Sequence, residues 1–362
     1  MVFSRSLRTF LVYAGLATLI LAALYLGSRP QGIHLTRAQL LVQYTQGYPP
    51  PSRTADWRAL PGRWQDIALP HAPRPHMLPG AGDAGLLPTQ TTSYHFTIDP
   101  AQAAPSGAYL YIPRWKTDGE LAIYVDGRLF YQTHANLQWN GSNRPLWIPL
   151  EEAAESPPPR DLLIRIRHVR GIGGALSTLW IGDYRQLAAA YYTRAFFQAE
   201  LPYISSAMFL ATGVFAFLVW LRSRRETLYL LYALMTVATF LRVMHAYMGA
   251  DRLPVSDAWF GWVTVNSVGW TILIAHLFLT ALHHHHARWL TAVIAVMCLG
   301  FGGITLPLFE GTADATIVSP LMYITMVSVG TFTFIVHIVW SRRAGTMEGI
   351  GLAICGLLSF IL

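Results

Sequence analysis

Apolar positions along the chain fall into two regimes. Between residues 93 and 181 they come in short runs broken by Gly, Pro, Asn or Asp, whereas after residue 200 they merge into long, nearly uninterrupted stretches. The first regime predicts strands. The stretch IYVDGRLFYQ, residues 123 to 132, sets two such runs around Asp126-Gly127, the pair a type I′ hairpin turn prefers because both central residues need positive φ. Further strands are expected at 93–98, 108–112, 120–125, 128–133, 145–149, 162–168 and 178–181. ESPPPRD, residues 155 to 161, reads as a loop, because each proline removes a donor and fixes φ. Segment 70–90, rich in Pro and Gly, reads as a loop as well.

The second regime predicts membrane spans, since about 20 apolar residues cross a bilayer. One run, 10–26, lies near the start behind Arg5 and Arg8 and reads as a signal anchor or a signal peptide. Six more lie at 201–221, 228–248, 259–282, 289–309, 318–340 and 347–362. Loop charge orients them. Arg222, Arg224 and Arg225, then Arg288, then Arg342 and Arg343 mark one side, and Asp251, Asp257, Glu310 and Asp314 mark the other. Basic loops face the cytoplasm, which puts residues 27–198 outside it, in the periplasm of a two-membrane bacterium. The run 347–362 would rise only about 24 Å at ~1.5 Å per residue, short of a ~30 Å hydrocarbon core, so a truncated chain is expected.

Composition agrees with a membrane protein: 53% of residues are hydrophobic and 12% charged, about half the usual charged share. A formal net charge of +7 raises the question of nucleic acid. The 26 basic residues include a single lysine, Lys116, and the arginines are scattered without a dense run, so no nucleic-acid partner is expected. Both cysteines, Cys298 and Cys355, lie in apolar runs, which leaves the outer domain without a disulfide or a CxxC-type metal site. Four consecutive histidines, 283–286, do not converge on one ion, because successive helix residues point about 100° apart. No metal or cofactor is expected.

WRALPGRWQDIALP (57–70), YHFTI and AIYVDGRLFYQTHANLQW are similar to the galactose-binding-like jelly roll that serves family-2 glycosidases as a sugar-binding domain, with Asp126 where that hairpin carries Asn. The downstream stretch RHVRGIGGALSTLWIGDYRQLAAAYYTRAFFQAELPYISSAMFL, together with the Arg-flanked runs, resembles the 7TMR-DISM receptors. These bacterial proteins join an extracytoplasmic β-domain to a seven-span bundle and a cytoplasmic signalling module. The resemblance implies an anchor or signal peptide at 1–28, an all-β jelly roll at 35–190 and an all-α transmembrane bundle at 199–362 with six spans present. It implies the input half of a sensor histidine kinase in the inner membrane, acting as a homodimer, with a diguanylate cyclase as the alternative output. The chain itself has no phosphoacceptor-His helix, no N-box or G-box and no GGDEF motif. A transporter with an accessory sugar-binding domain is the rival reading, but it predicts an internal repeat that the sequence does not show.

Candidate ligand groups cluster in two loops of the outer domain. HANLQWNGSNRP offers Trp139, Asn140, Asn143 and Arg144, a mix suited to a carbohydrate because an aromatic face packs on ring C–H groups while amides and guanidinium bond hydroxyls. PRWKTDG offers Trp115 and Asp118. The alternative is that Trp139 covers the core and Asn140-Gly141 is a plain turn; a periplasmic protein is the alternative ligand. Within the apolar runs, Arg242, His245, Asn266, His276 and His337 stand out, since polar groups at membrane depth are costly and face a partner or cavity. Arg242 and Asn266 fall at similar depths and are expected to meet, with His245 a turn nearer the surface; snorkelling of Arg242 and a backbone bond for Asn266 are the alternative. Fusions of a reporter active only outside the cytoplasm are expected to work at Gly249 and Gly311 and fail at Ser223 and Gly345, and the reverse pattern would overturn this topology.

Overall fold

The computed structural model describes residues 15, 18, 19, 22, 28–73, 88–99, 107–135, 141–142, 144–150, 160–171, 173–246, 254–283, 287–308 and 315–361. Most of the 10–26 run, much of the 70–90 loop and ESPPP therefore lie outside the described residues. The chain divides into two units, a β-domain ending at Ala199 and a helical unit from Glu200 onward.

Strands of the β-domain are β1 (Ile33–Leu35), β2 (Arg37–Gln46), β3 (Gln65–Ala68), β4 (Pro88–Thr97), β5 (Tyr109–Ile112), β6 (Trp115–Lys116), β7 (Glu120–Val125), β8 (Arg128–His134), β9 (Leu146–Pro149), β10 (Asp161–Val169), β11 (Ala175–Leu176) and β12 (Leu179–Gly182). They form a six-stranded sheet in the order β3-β2-β4-β10-β7-β8, a four-stranded sheet β1-β12-β5-β9 and a small pair β11-β6. All pairings are antiparallel, and the arrangement is sandwich-like. Every strand expected from the sequence is present. Residues 88–90, expected in a loop, instead begin β4, and β1, β2, β3, β6 and β11 have no counterpart among the expected strands.

The alternating pattern explains the sandwich core. On one face of the large sheet, Ile164 lies beside Tyr94 and Ile123, Ile166 beside Leu121, and Leu162 beside Phe96. These side chains are at most 2% exposed. At the hairpin, Asp126 and Gly127 take φ of 47° and 81°, the type I′ geometry their sequence demands. The Asp126 carboxylate also accepts from the backbone N–H groups of Arg160 (3.0 Å) and Asp161 (2.9 Å), tying the turn to the start of β10.

Each sheet is covered on its outer face too. Helix α1 (Tyr184–Ala195) starts at a capping box between Asp183 and Gln186. It sets Leu187 and Ala190 against Tyr111, Tyr109, Trp147 and Trp180 of the four-stranded sheet. Burying Leu187 completely is worth about 1.5–3 kcal/mol. Residues 47–64 form a strap over the large sheet, where Ala55 joins Ala122, Tyr124 and Leu163 in a buried cluster flanked by Trp57, Leu60 and Trp64.

The helical unit consists of α2 (Leu201–Arg222), α3 (Thr227–Val243), α4 (Asp257–His283), α5 (Arg288–Ile304), α6 (Ala315–Ala344) and α7 (Met347–Ile361), each on one of the six apolar runs. Among the described residues, three helical segments are long and apolar enough to cross a membrane: Tyr184–Arg222, Asp257–His283 and Val318–Arg343. Helices α3 and α5 are shorter apolar helices of 17 residues. The longest buried stripe belongs to α4, whose Val265, Val268 and Ile272 pack with Leu290, Ile294 and Cys298 of α5 and Met322 and Met326 of α6. Small residues allow close approach elsewhere: Gly213 of α2 sits against Thr236 of α3, and Gly356 of α7 against Phe334 of α6. Large apolar side chains such as Met208, Phe215, Val296, Leu299 and Ile324 remain exposed on this unit, a surface compatible with membrane association.

Because β1 and α1 both complete the smaller sheet, and Gln31 donates its backbone N–H to Gln186 O at 3.1 Å, residues 31–195 are expected to fold on their own. Expressed alone, it is expected to give a β-type circular dichroism spectrum and a cooperative melt that neither chelator nor reductant shifts. A helical or uncooperative product would contradict the fold.

Candidate functional site

The outer face of the large sheet is where polar chemistry concentrates. On strand β10, the sequence DLLIRIRHV puts Leu162, Ile164 and Ile166 toward the sandwich and Leu163, Arg165 and Arg167 on the opposite side. Register then builds rows across three strands. Arg167 lies between Thr91 and Glu120, Arg165 between Ser93 and Ala122, and Leu163 between His95 and Tyr124.

The strap closes over these rows. Its backbone is bound to the β7–β8 hairpin, with Ala55 N–H donating to Gly127 O and Leu129 N–H to Arg53 O, both at 2.8 Å. Trp57 stacks on His95 at 3.9 Å, and Trp64 meets the same imidazole edge-on. Near the start of the strap, the Tyr48 ring lies against Gly119, in space that any Cβ there would fill. Burial is the main influence on the His95 imidazole and holds its pKa below the ordinary value, although Asp161, 2.9 Å away, works in the opposite direction.

Beneath the strap, Arg167 Nη1 pairs with Glu120 Oε2 at 3.0 Å and also donates to Pro49 O, while Nε donates to Thr91 Oγ1 at 3.2 Å. Glu120 is 4% and Arg167 9% exposed. Burial raises the Glu120 pKa and lowers that of Arg167, and in each case the partner's charge opposes the shift without cancelling it. Such a pair is weak evidence for stability, since desolvation can outweigh attraction. Around it, four buried polar atoms have no hydrogen-bond partner among the described residues: Glu120 Oε1, Arg165 Nε, Tyr124 Oη and Ser93 Oγ. A cavity of about 10 Å³ lined by Pro51, Thr91, Glu120, Ala122, Tyr124, Arg165 and Arg167 lies among them, the room of one water molecule. Buried groups left unpaired on one face call for an explanation, which an ordered water or a ligand would each supply.

The residues singled out from sequence fare differently. Trp115 is 1% exposed, donates Nε1–H to Arg144 O at 3.1 Å and packs over Gly141, so its ring is part of the core. Asp118 accepts from Val169 N–H at 3.1 Å, and burial raises its pKa. Arg144 is exposed, and its backbone N–H donates to Gly141 O. Trp139, Asn140 and Asn143 lie outside the described residues, as do three of the four consecutive histidines.

In the helical unit, Asn266 donates to Trp262 O (2.9 Å) and Thr305 Oγ1 (3.2 Å), and its Oδ1 accepts no bond, so Arg242 does not reach that oxygen. His245 is hydrogen-bonded to the backbone carbonyl of Arg242 at 3.1 Å. The tighter grouping joins residues noticed separately in the sequence: His276 Nδ1 and His337 Nε2 lie 2.9 Å apart, and His276 Nε2 is 2.9 Å from Thr291 Oγ1. Both imidazoles are fully buried. The remaining histidine of the run, His283, is tied through its two nitrogens to Ser341 (2.9 Å) and Thr346 (3.3 Å). Among the described residues no cluster has the makings of a metal site.

The Glu120, Arg165 and Arg167 face is absent from the sequence-based candidates, although a signal exists. Two arginines at alternate positions of an otherwise apolar strand place both guanidinium groups on one face, and a strand so patterned needs a polar cover there. No protein-family model and no curated protein matches the chain.

Replacing Arg167 by Ala strips Glu120 of its partner and the strap of its hold at Pro49. Urea unfolding of residues 31–195 should register a loss of about 3–5 kcal/mol; a loss below ~1 kcal/mol would mean the pair is solvent-relaxed and the face is not a closed site.

Proposed function

We propose that the chain is the sensing and transmitting portion of a transmembrane signal-transduction receptor. Its β-domain, of the galactose-binding-like jelly-roll kind, stands outside the cytoplasm and receives the stimulus, and its apolar helices pass the state to a cytoplasmic output module, a histidine kinase by preference. The observation that carries this reading is the helical segment Tyr184–Arg222, in which α1 continues through a π-helical turn into α2. Its first turns belong to the β-domain, fixed by the capping box at Asp183 and by Leu187 and Ala190 in the aromatic cluster. Its last 22 residues, Leu201–Arg222, are apolar.

A stiff element shared in this way transmits a displacement that a Gly/Ser linker would absorb. Between the two parts, residues Phe196–Glu200 form a π-helical turn, a wider coil that recurs at functional positions in helices. The exposed apolar side chains support a bilayer as the surroundings of the helical unit, and the basic loops support the inner membrane with residues 27–198 on the periplasmic side.

The test uses the product of the whole gene in membrane vesicles, with autophosphorylation or cyclic-dinucleotide synthesis as readout. Gly-Gly inserted after Ala189 should abolish regulated output while the melt of residues 31–195 stays cooperative. Output that survives the insertion would reduce the helix to a spacer, and a gene product with neither activity would overturn the receptor reading.

A further inference from the structure

We propose that the buried polar face of the six-stranded sheet is a binding site for a small hydroxylated carboxylate, enclosed by residues 48–52 of the strap. Its signalling consequence rests on the receptor reading, but binding itself does not.

The donors and acceptors define the ligand. Around the cavity the two guanidinium groups of Arg165 and Arg167 face a single carboxylate, that of Glu120. The Arg167 guanidinium is committed to Glu120, Thr91 and Pro49, whereas Arg165 Nε–H is buried with nothing to bond among the described residues. A carboxylate satisfies that donor and balances the second guanidinium together. Glu120 Oε1, also buried and unpartnered, accepts only, so it repels a second anionic oxygen and calls for a donor such as a hydroxyl. Arg165 is directly across from Ala122, and Glu120 lies two residues along the same strand. The two unmet groups are therefore diagonal neighbours separated by a methyl group, so one short carbon chain bearing a carboxylate and a hydroxyl can address both. Tyr124 Oη, able to donate or accept, is also in the lining, and Ser93 Oγ sits on the strand position paired with Arg165.

The strap supplies the means of entry. In the closed state the cavity of about 10 Å³ holds one water, so a ligand of several heavy atoms enters only when the wall beside Pro51 moves. Residues 53–55 are bound to the hairpin by backbone hydrogen bonds, but among the described residues none holds 48–52; that stretch rests on the Arg167 bond to Pro49 O and on Tyr48 against Gly119. Pro49, Pro50 and Pro51 have no backbone N–H, so lifting them strands no donor.

The experiment measures binding of lactate, propionate and lactamide to the full chain in lipid nanodiscs by saturation-transfer NMR. Lactate is expected to bind saturably, with propionate and lactamide each at least about tenfold weaker. Glu120→Gln should erase the preference for lactate over propionate, and Arg165→Gln should abolish binding of both acids. Ala122→Val fills the space between the two groups without altering charge and should also abolish binding, so a fold-disrupting Arg165 substitution does not blunt the test. Equal binding of lactate and propionate, or no saturable binding of any probe at about 10 mM, ten times a 1 mM Kd, would overturn the site and leave a water-filled cavity. Lactate binding by a gene product with neither kinase nor cyclase activity would instead fault the receptor reading alone.

Discussion

A β-sheet has two faces, and this β-domain buries both faces of both sheets. The inner faces meet in the sandwich; the outer face of the four-stranded sheet is covered by α1 and that of the six-stranded sheet by the strap. The two covers differ in kind. Under α1 the contact is aromatic and aliphatic, with Tyr111, Trp147 and Trp180 against Leu187 and Ala190, so desolvation costs little and the helix is firmly held. Beneath the strap the sheet offers two guanidinium groups, a carboxylate and several hydroxyls, and burial leaves some of them unbonded. One cover is thus suited to fix an element in place and the other to exchange an occupant.

The same rule, that a buried polar atom needs a partner, governs the helical unit by other means. Thr264, Ser267, Thr271 and Thr280 of α4 donate to carbonyls three or four residues earlier in their own helix. Trp262, Asn266, His276 and His283 look outward, to Gly302, Thr305, His337, Thr291, Ser341 and Thr346. These bonds link α4 to α5, α6 and the turn before α7 at several levels. Helix α4 is accordingly the one on which the packing of its neighbours depends.

Much of this architecture is legible in the sequence because local chemistry dictates it. Asp126-Gly127 admits few turns other than the one observed, and runs as apolar as 259–282 form helices whatever surrounds them. Strand β2 escapes because Leu40 and Leu41 are both buried, one on each face of the sheet, which erases the period of two. The strap is not legible as a cover, since nothing in WRALPGRW says which sheet it lies on. Trp115 shows the limit for sites: a tryptophan in a stretch that reads as a loop has the same letter whether it faces a ligand or, as on strand β6, fills the core. The polar face needs register, for only the pairing of β10 with β4 and β7 brings Glu120, Ser93 and the two arginines together.

That register has its own gauge. The Asp126 carboxylate reaches from the hairpin turn to the backbone of Arg160 and Asp161, the first residues of the neighbouring strand. Slipping β10 by one residue would forfeit both bonds and reverse every side chain on the strand, driving two guanidinium groups into the apolar interior while exposing Ile164 and Ile166. A single turn residue thus acts as a proofreading contact during folding, penalising the one misalignment that would turn the domain inside out.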